Sequence, residues 1–431
     1  MTTLAQSPDE LTVEHKVTRA PVSPAQRYAG SVSMLVLGLV TIWRFGIDGH
    51  HHQPASIRLG ALNAAHVPHF TVPAVPVAWV AGVLTIALAI VWLVVPRRRL
   101  FGTVMGAGVG LFVVALLCWL ASASSFVSVD VVGLLTSTIG YSVPLILGAL
   151  CGVMCERSGV INIAIEGQML AGAWAAALIG TIVGVTAGML AGALAGALIG
   201  WLLAVFAIRY LVNQVVLGVV LNVFAAGLTG FFYDAFMQKD PEKWNQPPLL
   251  DPIKIPGLGD IPVLGPLLFD TSVIVYLMYV LIVVVDIWLF RTRWGLRTRA
   301  VGEHPKAADT VGIRVLAMRY RNVIIGGAIA GLGGSYFIFQ VGQFQKNITS
   351  GAGFIALAAL IFGRWSPRGA VGAALLFGFA SAMQNMLSIN APSIPSNFVA
   401  MLPYLATILA VAGLVGKVRA PAADGEPYVK E

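Results

Sequence analysis

Glu166 lies inside a long apolar stretch, Ile161-Asn-Ile-Ala-Ile-Glu-Gly-Gln168. A charged carboxylate at the centre of a bilayer costs about 2.5–3.5 kcal/mol on insertion scales, so it needs answering donors or a task. Asn162 stands four positions earlier, and on a helix the two would share one face. Asn213 and Gln214 open another apolar run, Asn222 lies in its middle, and Gln340, Gln343 and Gln345 precede a short apolar segment. Amides and one carboxylate, without a regular series of Asp and Lys, suit hydrogen bonding to a polar, uncharged solute better than a proton relay. They suit interhelical hydrogen bonds equally, and residue by residue both readings stay open. Asp286, near the end of its run, is expected to pair with Arg291 or Arg293.

Other chemistries find little support. Gly413-Leu-Val-Gly-Lys417 has the wrong spacing for a phosphate-binding loop and no following Ser or Thr. His-Glu-x-x-His and Gly-x-Ser-x-Gly are absent. His50-His51-His52, with His66 and His69, falls in an irregular stretch without carboxylate or thiolate partners, which reads as loop rather than metal site. Cys118, Cys151 and Cys155 sit in or beside apolar segments and read as small core residues. With no nucleophile–base pair and no metal or cofactor set, the chain reads as something other than an enzyme.

The elements that must position these residues follow from composition. Apolar residues make up 58% of the 431 and charged ones 11%, against about 45–50% and 25% in soluble domains. So few charges cannot cover so much apolar surface, and the bilayer must be the solvent. The net charge of +8 is spread between apolar runs with no aromatic-interleaved basic patch, which argues for membrane orientation and against nucleic acid. Long apolar runs recur at 31–47, 74–95, 101–121, 131–153, 161–183, 184–208, 215–232, 272–290, 323–341, 370–387 and 398–416. Most have the roughly 20 residues a helix needs to cross the hydrocarbon, and helices are required because lipid offers no partner for an open strand edge. The run 354–363 is too short to span and predicts a broken or re-entrant segment. The expectation is an all-α bundle of about 10–12 spans. Its parts are a tail over 1–30 without a cleavable signal, an N-terminal membrane extension over 31–125, a core over 126–417 and a tail over 418–431.

With the N-terminus placed in the cytoplasm and the short segment counted as a crossing, only Arg44, Arg58, Lys239, Lys243, Lys254 and Lys346 of the 27 basic residues fall outside. Both termini are therefore expected to be cytoplasmic. The loop 234–271 is Pro-rich and predicts an external cap without continuous helix. The loop 291–321 is polar and is the one internal segment large enough for a cytoplasmic docking surface. Gly180, Gly184, Gly188, Gly192, Gly196 and Gly200 recur at every fourth position, a bare ridge along which another helix can approach backbone to backbone.

The stretch Cys155-Glu-Arg-Ser-Gly-Val-Ile-Asn-Ile-Ala-Ile-Glu-Gly-Gln168 resembles the signature of permeases in the branched-chain amino acid, ribose and nucleoside group of bacterial ABC importers. Three more stretches agree in order: Asn213-Gln-Val-Val-Leu-Gly-Val-Val-Leu-Asn222, the loop from Arg293 to Ile313 with Gly302-Glu-His-Pro-Lys306, and the glycine-bounded segment from Gly351 to Trp365. Together they cover about two-thirds of the chain, and the wording is most similar to the nucleoside branch. The first hundred residues lie outside the resemblance.

The resemblance implies a type II permease subunit with several partners. These are a second, homologous or identical, permease subunit, a cytoplasmic ABC ATPase that uses the ATP, an extracytoplasmic substrate-binding lipoprotein and surrounding lipid, in the bacterial cytoplasmic membrane. It implies a coupling helix within 299–313, with Gly302, Glu303, His304, Pro305 and Ala308 at or near the ATPase. Pro305 suits the first turn of such a helix, where no backbone donor is lost. The solute path is expected among Asn162, Glu166, Asn213, Gln214, Asn222 and Gln343. Breaks at Ser158-Gly159 and at 350–353 run in opposite directions, which hints at an inverted repeat with a midplane site. Alternatives are a sugar or branched-chain amino acid importer, an ion-coupled secondary transporter and, more distantly, a membrane enzyme.

Overall fold

The computed structural model describes residues 24–47, 54–58, 69–96, 100–123, 129–390, 401 and 419–430. The His50–His52 and His66 cluster, Arg97–Arg99, the expected span 398–416 apart from Met401, and the Gly413–Lys417 sequence lie outside the described residues. Ten described helices are long and apolar enough to cross a membrane. The chain divides into two compact units, 1–54 with 72–123, and 55–71 with 124–431.

The first unit holds α1 (Pro24–Thr41), α2 (Ala74–Val94) and α3 (Phe101–Ala123). Gly38 and Gly82 let α1 and α2 touch, since a Cβ on Gly38 would stand 2.9 Å from the Gly82 carbonyl oxygen. Phe45 stacks obliquely on Phe112 and Trp119, each with ring centroids 5.6 Å apart. The Arg44 guanidinium lies over the Trp119 ring at 4.9 Å, where a cation is attracted to the ring face.

In the second unit, α4 (Val131–Glu156), α5 (Ile165–Val183), α6 (Val185–Ala204) and α7 (Gln214–Phe232) come first. A four-residue turn, α8 (Pro241–Trp244), then α9 (Val273–Arg291), α10 (Arg293–Glu303), α11 (Pro305–Thr310), α12 (Val315–Val341), α13 (Ala352–Phe362) and α14 (Pro367–Asn390) complete it. The core is α4, α12 and α5, the most buried of the long helices. The glycine ridge divides at Gly184, whose φ of +112° turns the chain between α5 and α6. On α6, a Cβ at Gly196 would meet the Gly327 carbonyl oxygen at 2.3 Å, and on α12 one at Gly331 would meet that of Gly192 at 2.2 Å. On α5, a Cβ at Gly172 would meet the Gly331 carbonyl oxygen at 2.4 Å. Helices α5, α6 and α12 therefore meet backbone to backbone, the packing that small residues permit in lipid.

The two ends of this unit differ. Arg157, Arg299, Arg364 and Arg368 gather at one end with α10 and α11. At the other end the Pro-rich loop forms short elements only, including the pairing of Ile253 with Thr271. It is pinned by Asn245, which donates to the Phe344 carbonyl oxygen at 3.0 Å and accepts from the Phe344 amide at 2.7 Å. Lys346 and Asp234 pair there at 2.6 Å.

Two expectations need correction. Asp286 does not pair with Arg291 or Arg293; its Oδ2 accepts from Arg368 Nη2 at 2.8 Å and Nε at 3.1 Å. Five positions along a helix is about 140° round it, so Arg291 points elsewhere, and Arg293 lies past the helix end. Asn162 and Glu166 do not share a helical face, because residues 158–164 are not helical and α5 starts at Ile165.

Candidate functional site

The stretch 158–164 leaves the Arg-rich end of α4 and climbs into the bundle before α5 begins. Gly159, with φ +82°, makes the turn that a side chain would strain. Non-helical backbone at membrane depth survives only where protein satisfies its polar groups. Helix α7 does this for one side. Gln214 Oε1 accepts from the Ile161 amide at 2.7 Å. Asn222, two turns further, donates Nδ2 to the Ile163 carbonyl oxygen at 2.9 Å and accepts the Gly167 amide on Oδ1 at 2.7 Å. Asn213 caps α7 itself, accepting from Val215 and Val216 at 3.0 and 3.2 Å.

Asn162 turns inward and is fully buried. Its Nδ2 donates to Gln168 Oε1 at 3.1 Å and lies 3.2 and 3.4 Å from the Cys151 and Cys155 sulfurs. The cysteines are thus packed around an amide pair, as core residues.

The second break mirrors the first. After α12 the chain passes the Phe344 bonds and reaches Gly351 at φ +84°, which opens α13. Glu166, in the first turn of α5, answers that opening. Its Oε1 accepts from Thr349 Oγ1 at 2.5 Å and the Gly351 amide at 2.9 Å, and its Oε2 accepts from the Gly353 amide at 2.6 Å. The carboxylate thereby joins the N-termini of two short-cut helices, whose free amides and dipoles favour negative charge. Down α13, Ala356 lies against Gly148 and Leu360 against Gly152, and Trp365 reaches Glu156, so α13 runs parallel to α4. The eleven residues of α13 rise about 16 Å, which puts Glu166, at the start of that helix, near the middle of a bilayer about 30 Å thick. Gln343 lies apart from this cluster, exposed on the loop before the second break.

At the Arg-rich end, Glu156 is buried and accepts from the Trp365 indole. Arg157 donates Nε to the Trp365 carbonyl oxygen at 2.7 Å. Burial holds this guanidinium below its ordinary pKa, with Glu303 opposing the shift and Arg299 adding to it. Pro305 stands in the first turn of α11, after His304. Glu303 and His304 are exposed, whereas Gly302 and Ala308 are buried. Gly302 backs onto Arg157, whose carbonyl oxygen a Cβ there would meet at 2.4 Å. Ala308 packs with Val301, Val315 and Met318.

Sequence reasoning did not find the donors to Glu166, namely Thr349, Gly351 and Gly353, nor the role of Glu156 and Trp365. The one available signal was Gly351, bounding a helix too short to cross alone.

A bundle of membrane-spanning helices whose two broken crossings meet at a half-buried carboxylate is a polytopic membrane protein. Residues 134–412 match the family described as "Branched-chain amino acid transport system / permease component", and the chain belongs to this family. The guanosine ABC transporter permease protein NupQ of Bacillus subtilis is 42% identical over 68% of this chain and 95% of its own length. The nucleoside ABC transporter permease protein NupC of Lactococcus lactis is 38% identical over 67% of this chain and 94% of its own. A putative glucose ABC transporter permease protein of Haloferax volcanii, TsgC13, is 34% identical over 58% and 77%. No solved structure matches. The chain is thus a permease subunit of an ABC transporter, and the first 133 residues precede the family match.

Proposed function

We propose that this chain is the permease subunit of a nucleoside importer. With a second permease subunit it forms the path for a nucleoside released by an external binding lipoprotein, and a cytoplasmic ABC ATPase drives it. One observation carries this reading: the two relatives covered almost end to end are named as permeases for guanosine and for nucleosides, at 42% and 38% identity. The geometry supports a neutral solute. Helix N-termini at mid-depth would attract an anion, but Glu166 already fills that role and opposes a second negative charge. An uncharged solute rich in hydroxyls and ring nitrogens meets no such opposition.

In this reading Asn162, Glu166, Gln214 and Asn222 hold the non-helical walls of the path, while Asn213 and Gln343 flank its ends. The Arg-rich end faces the cytoplasm with both termini. Glu303 and His304 touch the ATPase directly, Pro305 starts the contacting helix, and Gly302 and Ala308 support it from behind. The test is uptake of labelled guanosine, uridine, glucose and leucine by cells expressing the whole transporter, against cells lacking this chain. Chain-dependent uptake of nucleosides alone is expected. Uptake of glucose instead, the solute in the name of the 34% identical relative, would replace the substrate and leave the permease role.

A further inference from the structure

Residues 419–430, Arg-Ala-Pro-Ala-Ala-Asp-Gly-Glu-Pro-Tyr-Val-Lys, have the composition of a solvated tail, yet they are docked. Ala423 and Tyr428 are 3% and 7% exposed. Half of the contacts go to the α10–α11 segment. The Ala423 amide donates to the Gly302 carbonyl oxygen at 2.9 Å and the Ala422 amide to Glu303 Oε2 at 3.2 Å. Lys430 pairs with Asp309 at 3.8 Å, and the Tyr428 ring packs with Val301, Ala308, Val315 and Met318.

The other half go to the first broken crossing and its surroundings. The Ala423 carbonyl oxygen lies so close to Gly159 that a Cβ there would stand 3.0 Å from it. A Cβ on Gly425 would meet the Ile161 side chain at 2.6 Å. The Asp424 carboxyl lies beside the buried Glu156 carboxyl, and Arg319 Nη1 donates to the Glu426 carbonyl oxygen at 2.9 Å. The tail thus bonds both α10–α11 and the stretch of non-helical backbone that leads to Asn162 and Glu166, beside the direct contact of Gly302 with Arg157 and Gly159.

We propose that residues 419–430 form a strut that carries displacement of α10–α11 to the non-helical stretch 158–164, with Asp424 as its positioning residue. This rests on the reading of α10–α11 as the ATPase contact. A tail that merely covered one surface would bond to that surface alone. This one bonds both sides, through backbone groups that cannot slide without breaking.

The experiment uses the assembled transporter, with its ATPase and binding lipoprotein, in proteoliposomes, and reads ATP hydrolysis and tritiated guanosine uptake together. Ending the chain after Val418 should leave hydrolysis within about twofold of the full chain and cut uptake at least tenfold. Asp424→Lys should do the same, whereas Asp424→Asn, which keeps the shape beside Glu156, should retain at least half the uptake. If the shortened chain is lost from the membrane, Asp424→Lys carries the test alone. Unchanged uptake would overturn the strut. So would a rise in both readouts, which would make the tail an inhibitor, or a joint loss of both in well-assembled protein. Glu303→Lys separates the two levels: if it spares uptake, the ATPase-contact reading itself fails, and if it abolishes uptake while the shortened chain transports normally, only the strut fails.

Discussion

The Gly353 amide donates to Glu166 Oε2 at 2.6 Å across 187 positions of chain, and this bond ties the two broken crossings together. Glu166 also accepts from Thr349 and Gly351, so one carboxylate closes the start of α13 while standing in the first turn of α5.

Glu166→Gln should weaken both. The new amide nitrogen must face an N–H or O–H donor at one of the two oxygens, and the favourable charge at the helix starts is gone. A hydrogen bond to a charged group contributes about 1.5–3 kcal/mol, so the melting temperature of the purified protein should fall by several degrees and uptake should be lost. An unchanged melt with normal uptake would sink this assignment.

Asn222→Ala orphans the Gly167 amide and the Ile163 carbonyl at membrane depth, at a cost of about 1–3 kcal/mol for each group. Uptake should fall further than membrane abundance, which immunoblotting quantifies. Parallel loss of both would reduce Asn222 to a folding role.

Glu303→Lys reverses an exposed charge at the end of α10 and removes the acceptor of the Ala422 amide, while leaving the buried face of that helix untouched. The protein should remain in the membrane and uptake should vanish; co-purification with the ATPase gives the direct reading. Intact co-purification and uptake would remove Glu303 from the contact.

Gly196→Val places two methyl groups beyond a Cβ that already meets the Gly327 carbonyl oxygen at 2.3 Å. The α6–α12 seam must part, and the protein should be degraded. Gly227→Ala, where a Cβ meets nothing within 4 Å, is the control, and helix propensity predicts a gain of about 0.5–1 kcal/mol. Equal abundance of the two variants would contradict the packing.

Burial pushes the Asp424 carboxyl up to about 7, against the pull of Glu156 and of Arg319. It faces Glu156 from α4 and the Arg319 guanidinium from α12. A released tail titrates near 3.9, so the docked tail holds a proton that the free tail gives up between about pH 4 and 7. Docking should therefore weaken as pH rises through that window. Hydrogen exchange of residues 419–430 at pH 5, 6 and 7.5 reads this, and Asp424→Asn should abolish the trend. Protection that grows with pH would contradict it.

Local rules made much of the fold legible. Pro305 announced the start of α11, Asn213 the start of the run that became α7, and the shortness of 354–363 the helix that proved to span Ala352–Phe362. The repeated glycines foretold backbone contact but not their partner helix. What stayed hidden depends on distant partners. Ile161-Asn-Ile-Ala-Ile165 has helical periodicity as readily as extended form, and only Gln214 and Asn222 on α7 decide the matter. The partner of Asp286 lies 82 positions on. Nothing in the twelve residues 419–430 reveals that they dock beside Gly159.

The reach of the Glu166–Gly353 bond sets a timetable for biogenesis. At roughly 5–20 residues per second of synthesis, the 187 positions between them take about 10–40 s to appear. Through that interval the carboxylate sits in a half-made bundle without its donors, its charge exposed to whatever lipid, water or insertion machinery surrounds it. Slow translation downstream of α7 would prolong that interval.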